Sequence, residues 1–264
     1  MSVPIECEYS IEGNGPPIFL IHGIGSARDA WRFITPKIKN NFTVVSYDLR
    51  GHGKSPKPTT EFFLDDLVED LEYLRKKLEI KKAYFVGHSL GGMIGPAYSL
   101  KYSKHVLALG LFSTAAGRTK EDKEKVLTVI KSMENQSVSK ILPTLIDRWF
   151  TDEFIKIFPD VIEQRIQQVI NTDTEIFMNV FRIYANTEMS PWLHKIKFPT
   201  LVLTGENDEG CNPRLNKFIA SKIPNSKLVI LPKYKHSLLL EAPVDVAQNL
   251  IKFIKETKIN SESS

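Results

Sequence analysis

Short, continuously apolar runs alternate with longer segments of helical period over the first 114 residues. The apolar runs predict strands at residues 3–11, 16–21, 42–47, 82–86 and 106–112. The helical segments between them span about 29–38, 61–79 and 93–102. Strands that are apolar throughout and separated by helices indicate a parallel sheet covered by helices on both faces. We therefore expect an α/β fold with a mostly parallel sheet.

The pattern changes from about Ala116 to about Lys197, where no strand is recognisable. Segments of helical period take the place of the alternating strands and helices, at about 119–133, 137–150, 160–171 and 173–187. We interpret residues 116–197 as a helical cap, inserted after the sixth strand over the C-terminal edge of the sheet. Ligands of such sheets bind at that edge, so the cap is expected to cover the binding site.

The strand pattern then resumes and a final helix closes the chain. The last strands are predicted at about 199–204 and 227–231, and the helix at about 243–255. The predicted organisation is an α/β core of residues 1–115 and 198–258, the cap at 116–197, and a flexible polar tail at 259–264.

Ser89 lies where the strand at 82–86 is expected to turn into a helix. The segment Gly87–Gly91 reads Gly-His-Ser-Leu-Gly and fits the pattern G-x-S-x-G. A serine on so sharp a turn needs small residues two positions before and after it, because larger side chains would collide. The turn presents the hydroxyl at a helix N-terminus, which favours developing negative charge. We predict that Ser89 is a catalytic nucleophile.

A serine hydroxyl becomes an effective nucleophile when a histidine, oriented by a carboxylate, takes its proton. Among six histidines, His236 follows the last predicted strand, and position and elimination favour it as the base. His88 is adjacent to Ser89 and is expected to point away from it. The acid is expected in the loop after the strand at 199–204. Asp208 is preferred there, and Glu206 and Glu209 remain alternatives.

The resulting order along the chain, serine then acid then histidine, is the one expected for this architecture. An oxyanion also needs two preorganised N–H donors. We predict the backbone N–H of Leu90, directly after the nucleophile, and that of Ile24. Ile24 lies in the glycine-containing loop His22–Gly25, which follows the first continuously apolar strand.

Composition and charge restrict the remaining classes of function. Lys and Arg number 35 against 31 Asp and Glu, a dispersed net charge of +4 that does not favour nucleic-acid binding. No apolar run approaches the roughly 18 residues of a membrane span, and no secretory signal is visible. Cys7 and Cys211 form no disulfide framework, so we expect a cytoplasmic protein. No ligand spacing typical of metals occurs, so no metal or cofactor is expected.

These segments together resemble the α/β-hydrolase superfamily, specifically its single-domain members with a helical cap. The resemblance covers nearly the whole chain and is carried by His22–Gly25, Asp48–Ser55, Gly87–Gly92, Gly205–Asp208 and His236. Within the superfamily, residues 87–93 and the cap run 148–154 resemble 3-oxoadipate enol-lactonases and related small carboxylesterases. Members with an aspartate nucleophile, such as haloalkane dehalogenases and epoxide hydrolases, are disfavoured by Ser89.

The resemblance implies a serine hydrolase that acts on a small ester or lactone without a cofactor. The substrate-binding candidates are Trp149, Met93, Phe150 and Arg148. Arg148 or Arg182 could pair a substrate carboxylate, as an oxoadipate-type substrate would need. Three alternatives stay open: a carbon–carbon bond hydrolase, a cofactor-free haloperoxidase or perhydrolase, and a small-ligand receptor with little turnover. The chain could act as a monomer or a homodimer.

Overall fold

The structure is a computed structural model that describes residues 2–136 and 138–262. Within those residues the sheet has seven strands, in the order β1-β3-β2-β4-β5-β6-β7. In chain order they are β1 (Tyr9–Glu12), β2 (Pro17–Ile21), β3 (Thr43–Tyr47), β4 (Ala83–His88), β5 (Val106–Phe112), β6 (Thr200–Gly205) and β7 (Ser226–Leu231). Every neighbouring pair is parallel except β1 and β3, which pair antiparallel. The predicted α/β-hydrolase fold is confirmed.

Successive side chains of the strands pack alternately into two separate hydrophobic cores, one on each face of the sheet. In β2, Ile18 and Leu20 pack into one core, whereas Phe19 and Ile21 pack into the other. Successive side chains of a strand point to opposite faces, so an entirely apolar strand is buried on both sides. This is why the strands read as continuous hydrophobic runs in the sequence.

Helices cover both faces of the sheet. The α-helices of the core are α1 (Thr35–Ile38), α2 (Leu64–Lys77), α3 (Gly91–Lys101), α9 (Pro213–Lys222), α10 (Leu238–Glu241) and α11 (Pro243–Glu262). Short 3-10 helices lie at Arg28–Trp31, Ser103–His105 and Leu193–Lys195. Apolar residues of α2, α3 and α9 belong to one core, and those of α1 and α11 belong to the other.

In the described part of the cap, residues 116–136 and 138–197, five α-helices lie between β5 and β6. They are α4 (Lys120–Gln136), α5 (Val138–Trp149), α6 (Asp152–Ile157), α7 (Pro159–Asn171) and α8 (Thr174–Asn186). Apolar residues of α4, α5, α7 and α8 form a third core, and other residues of α8, among them Ile176 and Val180, pack into the core that contains α2 and α3. The cap therefore follows the fifth strand in the chain, and the prediction that it follows the sixth strand is wrong.

The N-terminal segment also differs from the predicted strand at 3–11, because β1 begins only at Tyr9. Side chains satisfy the backbone N–H groups before that point. Asp70 accepts a hydrogen bond from Ile5 N (2.8 Å), and the Ser55 hydroxyl accepts one from Glu8 N (2.9 Å). These donors are not available to a neighbouring strand, so the segment lies on the core without extending the sheet.

The C-terminal helix is longer than expected. The helix predicted to end near Lys255 continues as α11 through Glu262. It therefore includes residues 259–262 of the predicted tail, and residues 263 and 264 lie outside the described part of the chain.

A buried ion pair fixes the loop after β3 onto α2. Arg50 donates from Nε and Nη2 to the two carboxylate oxygens of Asp70, both at 2.6 Å, and both side chains are buried. Such a two-point contact sets orientation as well as distance. It fixes the loop at the C-terminal end of β3, whereas strand pairing holds β3 itself beside β2.

Candidate active site

Ser89 occupies a strained turn between β4 and α3, at the centre of the sheet. Its φ is +55°, in the left-handed region that non-glycine residues rarely adopt. A Cβ added to Gly87 would lie 2.0 Å from the Gly91 carbonyl oxygen, and one added to Gly91 would lie 2.2 Å from that of Ile21. Both flanking glycines of G-x-S-x-G are therefore required by close backbone approach.

The strand order explains why Ser89 meets the loop His22–Gly25. The chain leaves β2 towards β3 on one side, then crosses to β4 on the other side of β2. The crevice between β2 and β4 is thus a topological switch point, where open α/β sheets bind ligands. A Cβ on Gly23 would lie 3.0 Å from the Ser89 Cβ, so the loop and the serine are in close approach.

Asp208 and His236 meet in front of the adjacent strand ends. Asp208 follows β6, His236 follows β7, and Asp208 Oδ2 accepts a hydrogen bond from His236 Nδ1 at 2.8 Å. Asp208 is 1% exposed, and its other oxygen accepts from Cys211 N at 2.8 Å. The contact fixes the proton of the neutral imidazole on Nδ1 and leaves Nε2 as the acceptor.

The charges of this pair shift both pKa values. Burial alone would lower the pKa of His236, but the Asp208 carboxylate outweighs it and holds the pKa above its ordinary value. Burial would raise the pKa of Asp208, but His236 and the Cys211 N–H outweigh it and hold the pKa below its ordinary value. Asp208 is therefore the charged partner of the histidine.

The other two candidate acids are engaged elsewhere. Glu206 accepts a hydrogen bond from Lys233 N at 3.1 Å, and Glu209 forms an ion pair with Arg148 at 3.4 Å. Within the described residues, Asp208 alone of the three contacts the His236 ring. Of the three, Asp208 is therefore the one placed to orient the imidazole of His236.

Ser89, Asp208 and His236 line one cavity beneath the cap, with a volume of about 160 Å³. The described residues contain no hydrogen bond between the Ser89 hydroxyl and His236. Catalytic hydrogen bonds are often long in the absence of substrate and tighten in the Michaelis complex. The three groups that nucleophilic catalysis by a serine needs, a hydroxyl, an imidazole and a carboxylate, therefore line the same cavity.

His88 supports the site in a way that the sequence did not indicate. Its Nε2 donates to the His236 carbonyl oxygen at 2.9 Å, and the two rings lie 4.8 Å apart. Burial lowers the pKa of His88 to about 3, so the ring is neutral. It links the turn that carries Ser89 to the loop that carries His236. Only its adjacency to Ser89 could have drawn attention to it.

The two predicted oxyanion donors lie on either side of the crevice. Leu90 immediately precedes α3, and Ile24 lines the cavity. Neither backbone N–H donates a hydrogen bond to another residue that the structure describes. Two free N–H groups beside a nucleophile are the arrangement that holds a developing oxyanion.

The loop that carries Ile24 is held from both sides. His22 donates from Nδ1 to Gly23 O at 2.8 Å and accepts at Nε2 from Leu49 N at 2.9 Å. From the cap, Arg165 of α7 donates to the carbonyl oxygens of Ile24 (3.1 Å) and Gly25. These contacts leave the loop little freedom to move away from Ser89.

The substrate-binding candidates divide between the cavity and the cores. Trp149 and Arg148 line the cavity. Met93 lies in the core beneath α3, and Phe150 lies in the cap core, stacked on Phe154 at 5.6 Å. Both are fully buried and neither lines the cavity, so they are not placed to contact substrate. Met93 packs from α3 against the sheet, and Phe150 directly follows Trp149, where one helical step of about 100° turns its side chain into the cap core.

Cys211 lies at the cavity wall, where Tyr184 Oη is 3.3 Å from its Sγ. The ligand-type atoms of Asp208, Cys211 and His236 lie within 4.8 Å of one another, a spacing that a metal ion could use. The Asp208–His236 hydrogen bond joins two of the three groups directly. A metal bound to His236 Nδ1 would displace that hydrogen bond, and the neutral ring would then carry its proton on Nε2, which could not accept the Ser89 proton.

Comparisons with known proteins agree with this architecture. A model of the α/β-hydrolase fold family matches residues 16–243. The chain is 25% identical over 222 residues to 3-oxoadipate enol-lactonase 2 of Acinetobacter baylyi, covering 83% of this chain and 82% of the lactonase. Among the described helices, none is both long and apolar enough to cross a membrane.

Two solved structures superpose closely on this one. The enol-lactonase of Burkholderia xenovorans has a TM-score of 0.88 at 24% identity, covering 94% of this chain and 96% of the other. A thermophilic esterase of Thermogutta terrifontis, solved with malate bound, has a TM-score of 0.87 at 26% identity, covering 96% and 94%. At 24% identity, the first likeness is evidence for the fold alone.

Proposed function

Because the chain belongs to the α/β-hydrolase family, we propose that it is a serine hydrolase that cleaves a small carboxylic ester or lactone. The observation that carries this proposal is the convergence of Ser89, Asp208 and His236 on one cavity, with a 2.8 Å hydrogen bond orienting the histidine. The names of the Acinetobacter relative, a lactonase, and of the Thermogutta structure, an esterase, support an ester-type substrate.

Acylation begins with the neutral imidazole. His236 Nε2 takes the Ser89 proton as the serine oxygen attacks the acyl carbonyl carbon, and Asp208 stabilises the imidazolium that forms. The negative charge on the former carbonyl oxygen is held by the N–H groups of Ile24 and Leu90. The tetrahedral intermediate then expels the alkoxide, which takes the proton back from His236. The products of this half-reaction are an alcohol and an acyl-enzyme on Ser89.

Deacylation repeats the same steps with water. His236 takes a proton from water as its oxygen attacks the acyl carbonyl, and it returns that proton to Ser89 Oγ as the ester to the serine breaks. The product is a carboxylic acid. With a lactone, the alcohol and the acid remain in one molecule, so the product is the ring-opened hydroxy acid or its keto tautomer.

Ser89→Ala tests this mechanism directly. The variant should fold normally and lose turnover on short-chain aryl esters and lactones by about 10⁶-fold, because removal of the nucleophile abolishes the covalent route. Steady-state kinetics and a mass shift of the wild-type protein during turnover, which reports the acyl-enzyme, are the measurements.

Ser99→Ala is the matched control. Ser99 is a buried serine of α3 that bonds to Pro96 O at 2.7 Å, away from the cavity, so its loss should leave kcat near the wild-type value. Full activity of Ser89→Ala would contradict the mechanism. Peroxide-dependent halogenation faster than ester hydrolysis would overturn the ester assignment, and saturable binding without turnover would indicate a receptor.

A further inference from the structure

Arg118 is a buried arginine in the wall of the cavity that contains Ser89. It lies between β5 and α4 and is 8% exposed. Its Nη1 donates to the carbonyl oxygens of Tyr184 (3.1 Å) and Thr187 (3.0 Å), and its guanidinium lies over the Tyr184 ring at 4.3 Å. Its Nη2 is buried and has no acceptor among the described residues.

No acidic side chain of the described residues forms an ion pair with the Arg118 guanidinium. Glu188 is close, but its carboxylate accepts from the backbone N–H groups of Gly117 (3.0 Å) and Arg118 (3.3 Å) and from the Ser190 hydroxyl (2.5 Å). Buried charges in proteins are normally paired. Burial alone would lower the pKa of Arg118, but Tyr184 and, through space, the Glu188 carboxylate favour its charged form and raise the pKa. No carboxylate of the described residues, however, bonds to the guanidinium.

The other acidic groups around the cavity are already paired. Asp122 bonds to Arg214, Glu209 bonds to Arg148, and Asp208 bonds to His236. The two arginines neutralise Asp122 and Glu209, and the Asp208 carboxylate is turned towards His236 and Cys211 N. None of these three acids bonds to Arg118, so its guanidinium has no direct acidic partner at the cavity.

Neither arginine considered from the sequence is as well placed as Arg118. Arg148 lines the cavity but is paired with Glu209 at 3.4 Å. Arg182 pairs with Glu134 at 2.8 Å on the cap surface and does not line the cavity. Arg118 combines a position in the cavity wall with an unused donor.

We propose that Arg118 anchors a carboxylate of the substrate, and that the substrate is therefore an anionic ester or lactone. The inference rests on the proposed hydrolase function. A carboxylate oxygen would accept from Nη2 and give the guanidinium a direct anionic partner, while the ester group lies against Ser89. A neutral amide could still accept from Nη2 through its carbonyl oxygen, but it would not balance the charge of the guanidinium. Hydrogen bonds between ionised partners are roughly twice as strong as neutral ones, so the site should favour the anion.

The experiment compares matched pairs of methyl esters that differ only in charge. Monomethyl succinate, glutarate and adipate are each paired with the methyl ester of the corresponding monoamide, which is neutral and nearly the same shape. Wild type should favour the anionic member of at least one pair by about 10²-fold or more in kcat/KM. Arg118→Met should bring that ratio close to one. Arg118→Lys, which keeps the charge but loses the planar fork, should give an intermediate ratio.

Arg182→Met is the matched control, and its charge-selectivity ratio should equal that of wild type. Equal rates of wild type on both members of every pair would overturn the proposal, as would an undiminished ratio in Arg118→Met. If Arg118→Met does not fold, competitive inhibition of wild type provides the test. The inhibition constant of glutarate should be at least about tenfold lower than that of glutaramide, and equal constants would overturn the proposal. Turnover that survives Ser89→Ala, or no turnover of any ester, would instead count against the proposed function.

Discussion

Replacing Asp208 by Asn separates the charge of the acid from its shape. In the protein, one carboxylate oxygen accepts from Cys211 N and the other accepts from His236 Nδ1, both at 2.8 Å. An amide at this position has only one oxygen. The Cys211 N–H can only donate, so that oxygen turns towards Cys211 and the NH₂ group faces His236. The imidazole must then accept at Nδ1 and carry its proton on Nε2.

That tautomer cannot take the proton from Ser89. The equivalent substitution in a well-studied serine protease lowers kcat by about 10⁴-fold, which corresponds to roughly 5 kcal/mol in the activation free energy. We expect a loss of similar size here, because Asp208 is fully buried and water cannot replace its charge. Stability should change much less, since the Cys211 contact is kept.

The pH profile supplies a second readout with a definite sign. The carboxylate holds the pKa of His236 above its ordinary value of 6.5, so the acid limb of kcat/KM for wild type should lie above pH 6.5. Removing the negative charge makes protonation of the ring less favourable. The residual activity of Asp208→Asn should therefore show its acid limb at a lower pH than wild type.

The assay is kcat/KM on a short-chain ester between pH 5 and 10, with thermal unfolding of each protein in parallel. Glu206→Gln is the control, because Glu206 follows the same strand but contacts Lys233 N; it should keep wild-type kinetics. Wild-type activity in Asp208→Asn, an upward shift of its acid limb, or an equal loss in Glu206→Gln would refute this assignment of the acid.

Two further predictions concern stability. Asp70→Asn leaves Arg50 buried without its charged partner and should lower the free energy of unfolding by about 3–5 kcal/mol. Glu12→Gln removes only an exposed ion pair and should lower it by less than about 1 kcal/mol. Equal unfolding midpoints of the two variants in urea would contradict this prediction. Gly87→Ala should destabilise by about 1–3 kcal/mol or prevent folding, because its Cβ would lie 2.0 Å from a backbone oxygen of α3. Gly95→Ala, whose Cβ would have no contact closer than 3.9 Å, should be neutral or stabilising in thermal unfolding.

Most of the fold was predictable because its signals are local. Residues 17–21 are apolar at every position, and that pattern follows directly from burial on both faces of a sheet. The prediction failed at residues 3–8, where Asp70 and Ser55 supply the hydrogen bonds that a strand would need. Those partners are 65 and 47 positions away, so no local pattern reports them.

The candidate triad was predictable for a related reason. A nucleophile turn has a strict glycine spacing, and the loops after the last two strands offered few choices of acid and base. The catalytic roles of Ser89, Asp208 and His236 remain predictions, although the hydrogen bond between Asp208 and His236 is present in the structure. The pocket was predicted less well, because Met93 and Phe150 turned out to lie in the cores.

The sequence by itself therefore determined the kind of sheet, the position of the nucleophile turn and the order of the three candidate catalytic groups. These features depend on steric and hydrophobic rules that act over a few residues. Only the tertiary structure decided which buried arginine of the cavity wall has a donor without an acceptor, and that His88 holds the His236 loop. Both results depend on where segments 66 and 148 positions apart come to lie, which is set by the packing of the cap and the sheet as a whole.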